Sequence, residues 1–477
     1  MRDSLSTCSQ KAMSAPSTSK RRQRSTRMGW QSFTGFAVRF CGIGLSYLTL
    51  LFLTRHLGPE QYGAFSAVLS LSALLATVMT AGADRIATRS ISSLGSDSRI
   101  ELIREVVVTH AVALVGVGLG LATLTAVYVF GGHYIDVGSA GLIASLAMVV
   151  FPVMVLISVR QWIALPLHGA AASIVPEQIV LPALLLASAA VIKTLGFTFD
   201  FSLVAILYAA SGFVAWCVGV RYSDVRGLLN EGLKSRVTAG DVMARVRSGM
   251  PFLSATLSTV MMNRAVPLIV AAVCGFAATG KLAVAVQLAA IAAVPLTVVN
   301  LAIVPRCVKQ HTRRDHASLA RTVRLACTLC VAMTVPLGLG LLFFSETAVG
   351  MMGKDFQGAS TLMSILVIGQ CINACCGPNG SILQMIGHEK LYSSAMLMTN
   401  SAQVVAVLLA SVTGNLVAVA LSIVVIEGLR NIVLSVLLWQ KERLLMLPTF
   451  SVFRTQAAAV VDDDERSDSP PALGRAA

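Results

Sequence analysis

Charge is what this chain has least of. Only 13% of its 477 residues are charged and 6% are aromatic, against 55% that are hydrophobic, and the mean hydropathy is +0.76. That leaves too little polar surface to coat a soluble globule of this size, so a water-soluble fold is excluded and the chain belongs in a bilayer. Catalytic signatures are missing too. There is no H-E-x-x-H, no G-x-x-x-x-G-K-[ST], no nucleophile elbow and no loop long enough for a separate enzyme domain, so the chain reads as a non-enzyme without nucleotide-derived energy of its own. The ten cysteines form no disulfide framework. Cys41, Cys217, Cys274, Cys371, Cys375 and Cys376 lie in apolar stretches as small packing residues. Cys327 and Cys330 form a C-x-x-C spacing with neither a second pair nor a nearby histidine, so no metal and no cofactor are expected.

What the chain does have is long apolar runs. A helix needs about 20 apolar residues to cross the hydrocarbon. Twelve runs qualify: near 30–53, 62–82, 106–130, 139–159, 173–192 and 201–220, then 251–273, 282–303, 325–344, 360–384, 391–411 and 416–438. Pro152, Pro176 and Pro182 interrupt the fourth and fifth, and Pro378 with Gly377 and Gly380 the tenth, predicting kinks or partly unwound helices. The expected fold is an all-α integral membrane protein. Residues 1–28 read as a disordered basic cytoplasmic tail, 29–220 as one six-helix bundle, 221–250 as a cytoplasmic linker, 251–440 as a second bundle and 441–477 as a cytoplasmic tail. The first apolar run is too long for a signal-peptide core, and Met28 is an alternative start.

The formal net charge of +14 would suggest nucleic acid in a soluble protein, but here the cations follow the spans. With both termini in the cytoplasm, 30 of the 37 Lys and Arg fall inside; only Arg55, Lys193, Lys281 and Lys354 fall outside, and Arg39, Arg264 and Arg430 lie within spans. That asymmetry is the positive-inside bias, and no nucleic-acid partner is needed to explain it. The halves also repeat. A shift of 217 lays Gly58 and Gly63 of L-G-P-E-Q-Y-G onto Gly275 and Gly280 of C-G-F-A-A-T-G, and Arg89 onto Arg306; a shift of 218 lays Gly169 of L-P-L-H-G onto Gly387 of L-Q-M-I-G. A duplicated six-helix unit keeps its orientation, because six is even, so a pseudo-two-fold axis along the membrane normal is expected, with a binding site between the halves.

The polar residues inside the spans carry the functional signal. A guanidinium at the centre of an apolar helix costs about 2.5 to 3.5 kcal/mol on insertion scales, so Arg264, beside Asn263, and Arg39 should face a protected interior suited to an anion. Structural pairing with a neighbouring span is the other reading of Arg264, and snorkelling to the headgroups that of Arg39. Arg430 is a third candidate for the cavity, although Glu427, three residues earlier on the same face, could neutralise it. Glu177, between Pro176 and Pro182, is a candidate H+ or Na+ coupling site, with Glu427 and Asp84 as further candidates; Asp84 beside Arg85 also reads as a solvated helix-end pair. Gln287, Asn300, Gln370, Asn373, Asn379 and Gln384 could line a path for hydroxyl-rich cargo or bond adjacent helices.

Two stretches carry a family resemblance. L-T-R-H-L-G-P-E-Q-Y-G-A-F, from Leu53 to Phe65, is similar to the entry motif of the Wzx-type polysaccharide flippases. M-G-K-D-F-Q-G-A-S and G-P-N-G-S-I-L-Q-M-I-G-H-E-K, between Met352 and Lys390, resemble their C-terminal signature. The resemblance implies the superfamily that also holds multidrug extruders and lipid II flippases: two six-helix bundles in a V around a central cavity, working by alternating access. It further implies an undecaprenyl-pyrophosphate-linked glycan as cargo, membrane lipid as surroundings, polysaccharide polymerase and assembly proteins as partners, and the bacterial cytoplasmic membrane as location. Two other functions compete. A cation-coupled multidrug antiporter on the same fold should show acidic and aromatic cavity residues, whereas the mid-span charges here are mainly arginines. A membrane polysaccharide polymerase or glycosyltransferase would need long loops carrying catalytic acids.

Overall fold

A computed structural model describes residues 18–94, 98–131, 138–223, 225–232 and 238–444; residues 1–17 and 445–477, most of the two expected tails, lie outside them. Every regular element among the described residues is helical. The first half holds α1 (Thr18–Met79), α2 (Ala83–Ser93), α3 (Arg99–Gly131), α4 (Gly138–Val175), α5 (Leu181–Thr194), α6 (Phe201–Tyr222) and the short α7 (Val225–Gly232). The second holds α8 (Ala239–Cys274), α9 (Phe276–Ala289), α10 (Val294–Thr312), α11 (His316–Phe343), α12 (Ser345–Met352), α13 (Ala359–Cys376), α14 (Asn379–Met385), α15 (Glu389–Val412) and α16 (Leu416–Glu442). Helix thus already covers 18–28 and much of 221–250.

Eleven helices among the described residues are long and apolar enough to cross a membrane. The first of them, 37–79, contains a break at Gly58 (φ 70°, ψ 176°), a conformation that a Cβ would disfavour, and so makes two passes; the total is the twelve expected from the sequence. The glycine paired with Gly58 by the 217-residue shift, Gly275, has nearly the same angles (φ 87°, ψ 173°) and separates α8 from α9. Gly169 (φ 84°) and its partner Gly387 (φ 102°) repeat the correspondence at a second bend. The duplication seen in the sequence is therefore a duplication of backbone geometry.

The apolar cores show how the two bundles meet. One large core takes residues from both halves, among them Leu53, Phe65 and Val204 from the first and Leu282, Phe356 and Val419 from the second. The other two large cores belong to one half each: Ala87, Val106, Phe151 and Ile163 in the first, Ile303, Leu319, Cys327 and Leu438 in the second. The bundles are thus fused near the Gly58 and Gly275 bends and separate toward the end that bears the basic loops, which is the V. At the fused end the contact is reciprocal. A Cβ on Gly63 would fall 1.8 Å from the Phe276 carbonyl oxygen, and one on Gly280 would fall 1.9 Å from that of Pro59. Pro59 and Phe276 are themselves 217 apart, so the same patch meets itself, as a two-fold axis requires.

Candidate functional site

Between the bundles lies a cavity of about 650 Å³. Its first wall is the initial pass of α1, from Arg39 to Leu53, joined by Tyr62, Phe65 and Tyr208 and by the segment from Glu177 to Leu185. The opposite wall carries Arg264 of α8, Gln287 of α9 and Thr297 of α10. The charged groups in its lining are two guanidiniums and one carboxylate: Arg39, Arg264 and Glu177. Arg39 and Arg264 are exposed, and both line the cleft. A cation in a low-dielectric cleft acts over a longer range than one in water. Arg264 acts electrostatically on both Tyr62 and Glu177, which brings three helices into one field.

Glu177 stands where the two prolines break the helix. Residues Pro176–Val180 form a π-helical turn between α4 and α5, the partly unwound geometry expected there. α1 grips this turn closely. A Cβ on Gly42 would meet Gln178 Cβ at 2.8 Å, and the Thr49 hydroxyl donates to the Pro182 carbonyl at 3.2 Å. Across the cavity the Tyr47 hydroxyl donates to the backbone carbonyl of Gln287, and the side-chain Nε2 of Gln287 donates to the Tyr62 hydroxyl at 3.1 Å, so this one residue ties both halves at the floor.

Several expected site residues lie elsewhere. Asn263 follows Arg264's neighbourhood in sequence only: its amide donates to the Thr259 carbonyl at 3.0 Å and it does not line the cavity. Arg430 is buried inside the second bundle, where Nη2 donates to Glu427 at 2.9 Å and Nη1 contacts Met262 Sδ. Glu427 in turn faces Gln370, and Asn373, Asn431 and Asn379 extend the same network. Arg430 and Glu427 are therefore partners of each other and not of the cleft, as their spacing of three on one helix allows. Asp84 is buried between α2 and α4, accepting from the Arg85 amide at 2.9 Å and the Ser158 hydroxyl at 3.2 Å, so it is neither solvated nor in the cavity. Of the neutral candidates only Gln287 reaches the cleft; Gln370, Asn373 and Asn379 belong to the second-bundle network, Gln384 is exposed, and Asn300 is half-buried outside the lining. Cys327 and Cys330 are buried in the apolar core of the second bundle.

One residue was misplaced by sequence. Arg160 looks like a cytoplasmic loop cation at the end of the fourth run, yet it lies within α4 and none of it is exposed. The signal was present: W-I-A-L-P-L, residues 162–167, continues the apolar run beyond it. Tyr47, Tyr62, Tyr208 and Gln178 also line the cavity and carry no pattern that separates them from other helix residues.

Long apolar helices in two like bundles around a cleft define a multi-pass membrane protein. Solved structures with this fold include an inward-facing multidrug resistance MATE transporter of the MOP superfamily (TM-score 0.64, 14% identity, covering 87% of this chain and 98% of that one). They also include the lipid II flippase MurJ in an inward closed conformation (TM-score 0.63, 12% identity, 92% and 93% covered) and an outward-facing MATE transporter (TM-score 0.56, 16% identity, 88% and 95% covered). No protein of curated function matches significantly in sequence. The family model for polysaccharide biosynthesis proteins matches residues 32–311, more than half of the chain, and the chain belongs to that family.

Proposed function

We propose that this protein is a flippase that carries an undecaprenyl-pyrophosphate-linked oligosaccharide across the bacterial cytoplasmic membrane, by alternating access, for surface or exopolysaccharide assembly. The observation that carries the reading is the exposed pair Arg39 and Arg264 on opposite walls of the interbundle cavity. Moving a pyrophosphate and sugar hydroxyls through hydrocarbon unassisted leaves each polar group unsatisfied at several kcal/mol. Guanidinium forks match phosphate oxygens two at a time and replace the lost water. Tyr47, Tyr62, Tyr208 and Gln287 offer hydroxyl and amide groups to the sugars, while the polyprenyl chain stays in lipid beside the cleft. Residues 29–220 and 251–440 are the two moving lobes and 221–250 connects them. Both termini face the cytoplasm, and Glu177 is the carboxylate that couples movement to H+ or Na+.

Fold likeness does not separate a flippase from a multidrug antiporter, since the inward-facing MATE transporter and MurJ score almost equally. The charge of the cleft supports the flippase: two guanidiniums against one carboxylate suit an anionic cargo better than the organic cations that an acidic cavity would take. Replacing Arg264 or Arg39 with Ala should reduce surface glycan export at least tenfold while the protein stays in the membrane. Export at the normal rate by both variants would overturn the reading. A reporter fused at Lys354 should read periplasmic; a cytoplasmic reading would reverse the orientation.

A further inference from the structure

Pro176 and Pro182 have no amide hydrogen, so the carbonyls four residues upstream, those of Ala172 and Gln178, lose their helical donors. Arg160 offers the Ala172 carbonyl a donor in place of the one Pro176 lacks. It lies on α4 ahead of the bend at Gly169, and its guanidinium reaches across that bend: Nη1 donates to the Ala172 carbonyl at 3.4 Å and Nη2 to the Ser173 carbonyl at 2.6 Å. α6 makes room for it, because a Cβ on Gly219 would fall 2.6 Å from Arg160 Cδ. A guanidinium with no exposed surface is costly unless it is paired. The carboxylate nearest it along the chain is Glu177, one turn beyond Ser173, which shares its electrostatic surroundings with Arg160, with Arg264 of α8 and Arg39 of α1, and with Tyr208 of α6.

We propose that Arg160 is a positioning residue for Glu177: by holding the Ala172 and Ser173 carbonyls just ahead of the broken helix it fixes the wide turn Pro176–Val180, and so aims the carboxylate into the cavity. The wide turn contains one residue more than regular helix would need. Were it to relax, that slip would rotate position 177 by about 100° relative to the segment beyond it, since 3.6 residues complete a turn. The proposal rests on the reading of Glu177 as the coupling group, but the placement can be tested without any transport.

The full-length protein carrying Glu177→Cys and Thr297→Cys, in lipid nanodiscs, is labelled with a water-soluble maleimide, and site-resolved mass spectrometry gives labelling at 177 relative to 297 on the opposite wall. Adding Arg160→Met should lower this ratio at least fivefold, and Arg160→Lys, which keeps a charge and donors, should restore part of it. Gly219→Ala should reproduce the loss with Arg160 still present, because the added methyl displaces the guanidinium. An unchanged ratio in Arg160→Met or in Gly219→Ala, whichever folds, overturns the placement. In cells, Arg160→Met should flatten the response of glycan export to pH and sodium as Glu177→Gln does, with rescue by Arg160→Lys. A lowered ratio together with unaltered ion responses in both variants would leave the placement standing and remove Glu177 as the coupling group; a flattened response with an unchanged ratio would do the reverse.

Discussion

Arg264 and Arg430 are the same side chain in similar apolar helices, and their surroundings give them opposite fates. Arg264 opens onto the cleft, whereas Arg430 has its charge matched by Glu427 at 2.9 Å, with both side chains less than 15% exposed. Removing one member of a buried pair leaves an uncompensated charge, at a cost of about 3 to 5 kcal/mol. Glu427→Ala should therefore lower the thermal midpoint of the purified protein markedly, while Arg264→Ala should not; equal midpoints for Glu427→Ala and wild type would show that Gln370 and Asn373 suffice to hold Arg430. Arg264 was legible in the sequence because a lone cation at the centre of an apolar run has few explanations. The role of Arg430 was half legible, since its spacing from Glu427 named the partner but not the side of the helix on which the cleft lies. For Arg160 the apolar run 162–167 marked a place inside a span, but its partners were not legible, because they are carbonyls that come within reach only when Gly169 bends the chain back past it.

Helix α8 joins the two bundles by belonging to both. Its first turns are clamped to α3 by Arg104 with Asp241 at 2.6 Å and Arg245 with Glu105 at 2.5 Å, and a Cβ on Gly249 would meet the Ala81 carbonyl at 2.0 Å. Its later turns carry Arg264 into the cavity wall. Thr238 and Asp241 form a reciprocal cap that fixes where the helix begins. Bonds from the Thr238 amide and hydroxyl, then from Arg104, pull the Asp241 carboxyl down to about 2. A lowered carboxylate stabilises fully above its ordinary value of about 3.9 and stops doing so as pH falls through its folded value. Spin labels at Glu101 and Met243 should thus give one narrow distance at neutral and mildly acidic pH, broadening only near pH 2. Thr238→Ala should move that onset upward, and broadening already at pH 5 in the wild type would contradict the cap. The prolines made the break between α4 and α5 predictable as a break; its form as a wide turn depends on Arg160 and on the close approach of α1 at Gly42, neither of which is local in sequence.

The whole molecule is a V fused at one end, and the fused end closes one mouth of the cleft. Besides the shared core and the reciprocal glycines, Arg55 Nε donates to the Met351 carbonyl at 2.7 Å, and the Thr54 hydroxyl contacts Met352 Sδ at 3.5 Å, joining α1 to α12. The alternating access proposed for this protein requires these contacts to part. Oxidative cross-linking of a Thr54→Cys and Met352→Cys pair should stop glycan export by at least tenfold, and reduction should restore it. Undiminished export by the cross-linked protein would mean that this seam never opens. The two-fold relation was legible from the 217-residue shift, and Gly58, Gly275, Gly63 and Gly280 were already its markers. That Gly63 and Gly280 touch the opposite repeat, and do so reciprocally, was not, because a repeat states which residues are equivalent without stating where the axis runs.

By itself the sequence determined that this chain is a multi-pass, all-helical membrane protein with an internal repeat and with cations inside its apolar runs. Hydrophobic run length, charge asymmetry and internal repetition are each written along one strand of chain and need no partner to be read. Tertiary structure alone decided which of the buried charges face the cleft and which are neutralised inside a bundle, because that depends on the rotation of each helix about its own axis. In a bilayer, where nearly every face of a helix is apolar, that rotation is set by packing against neighbours distant in sequence.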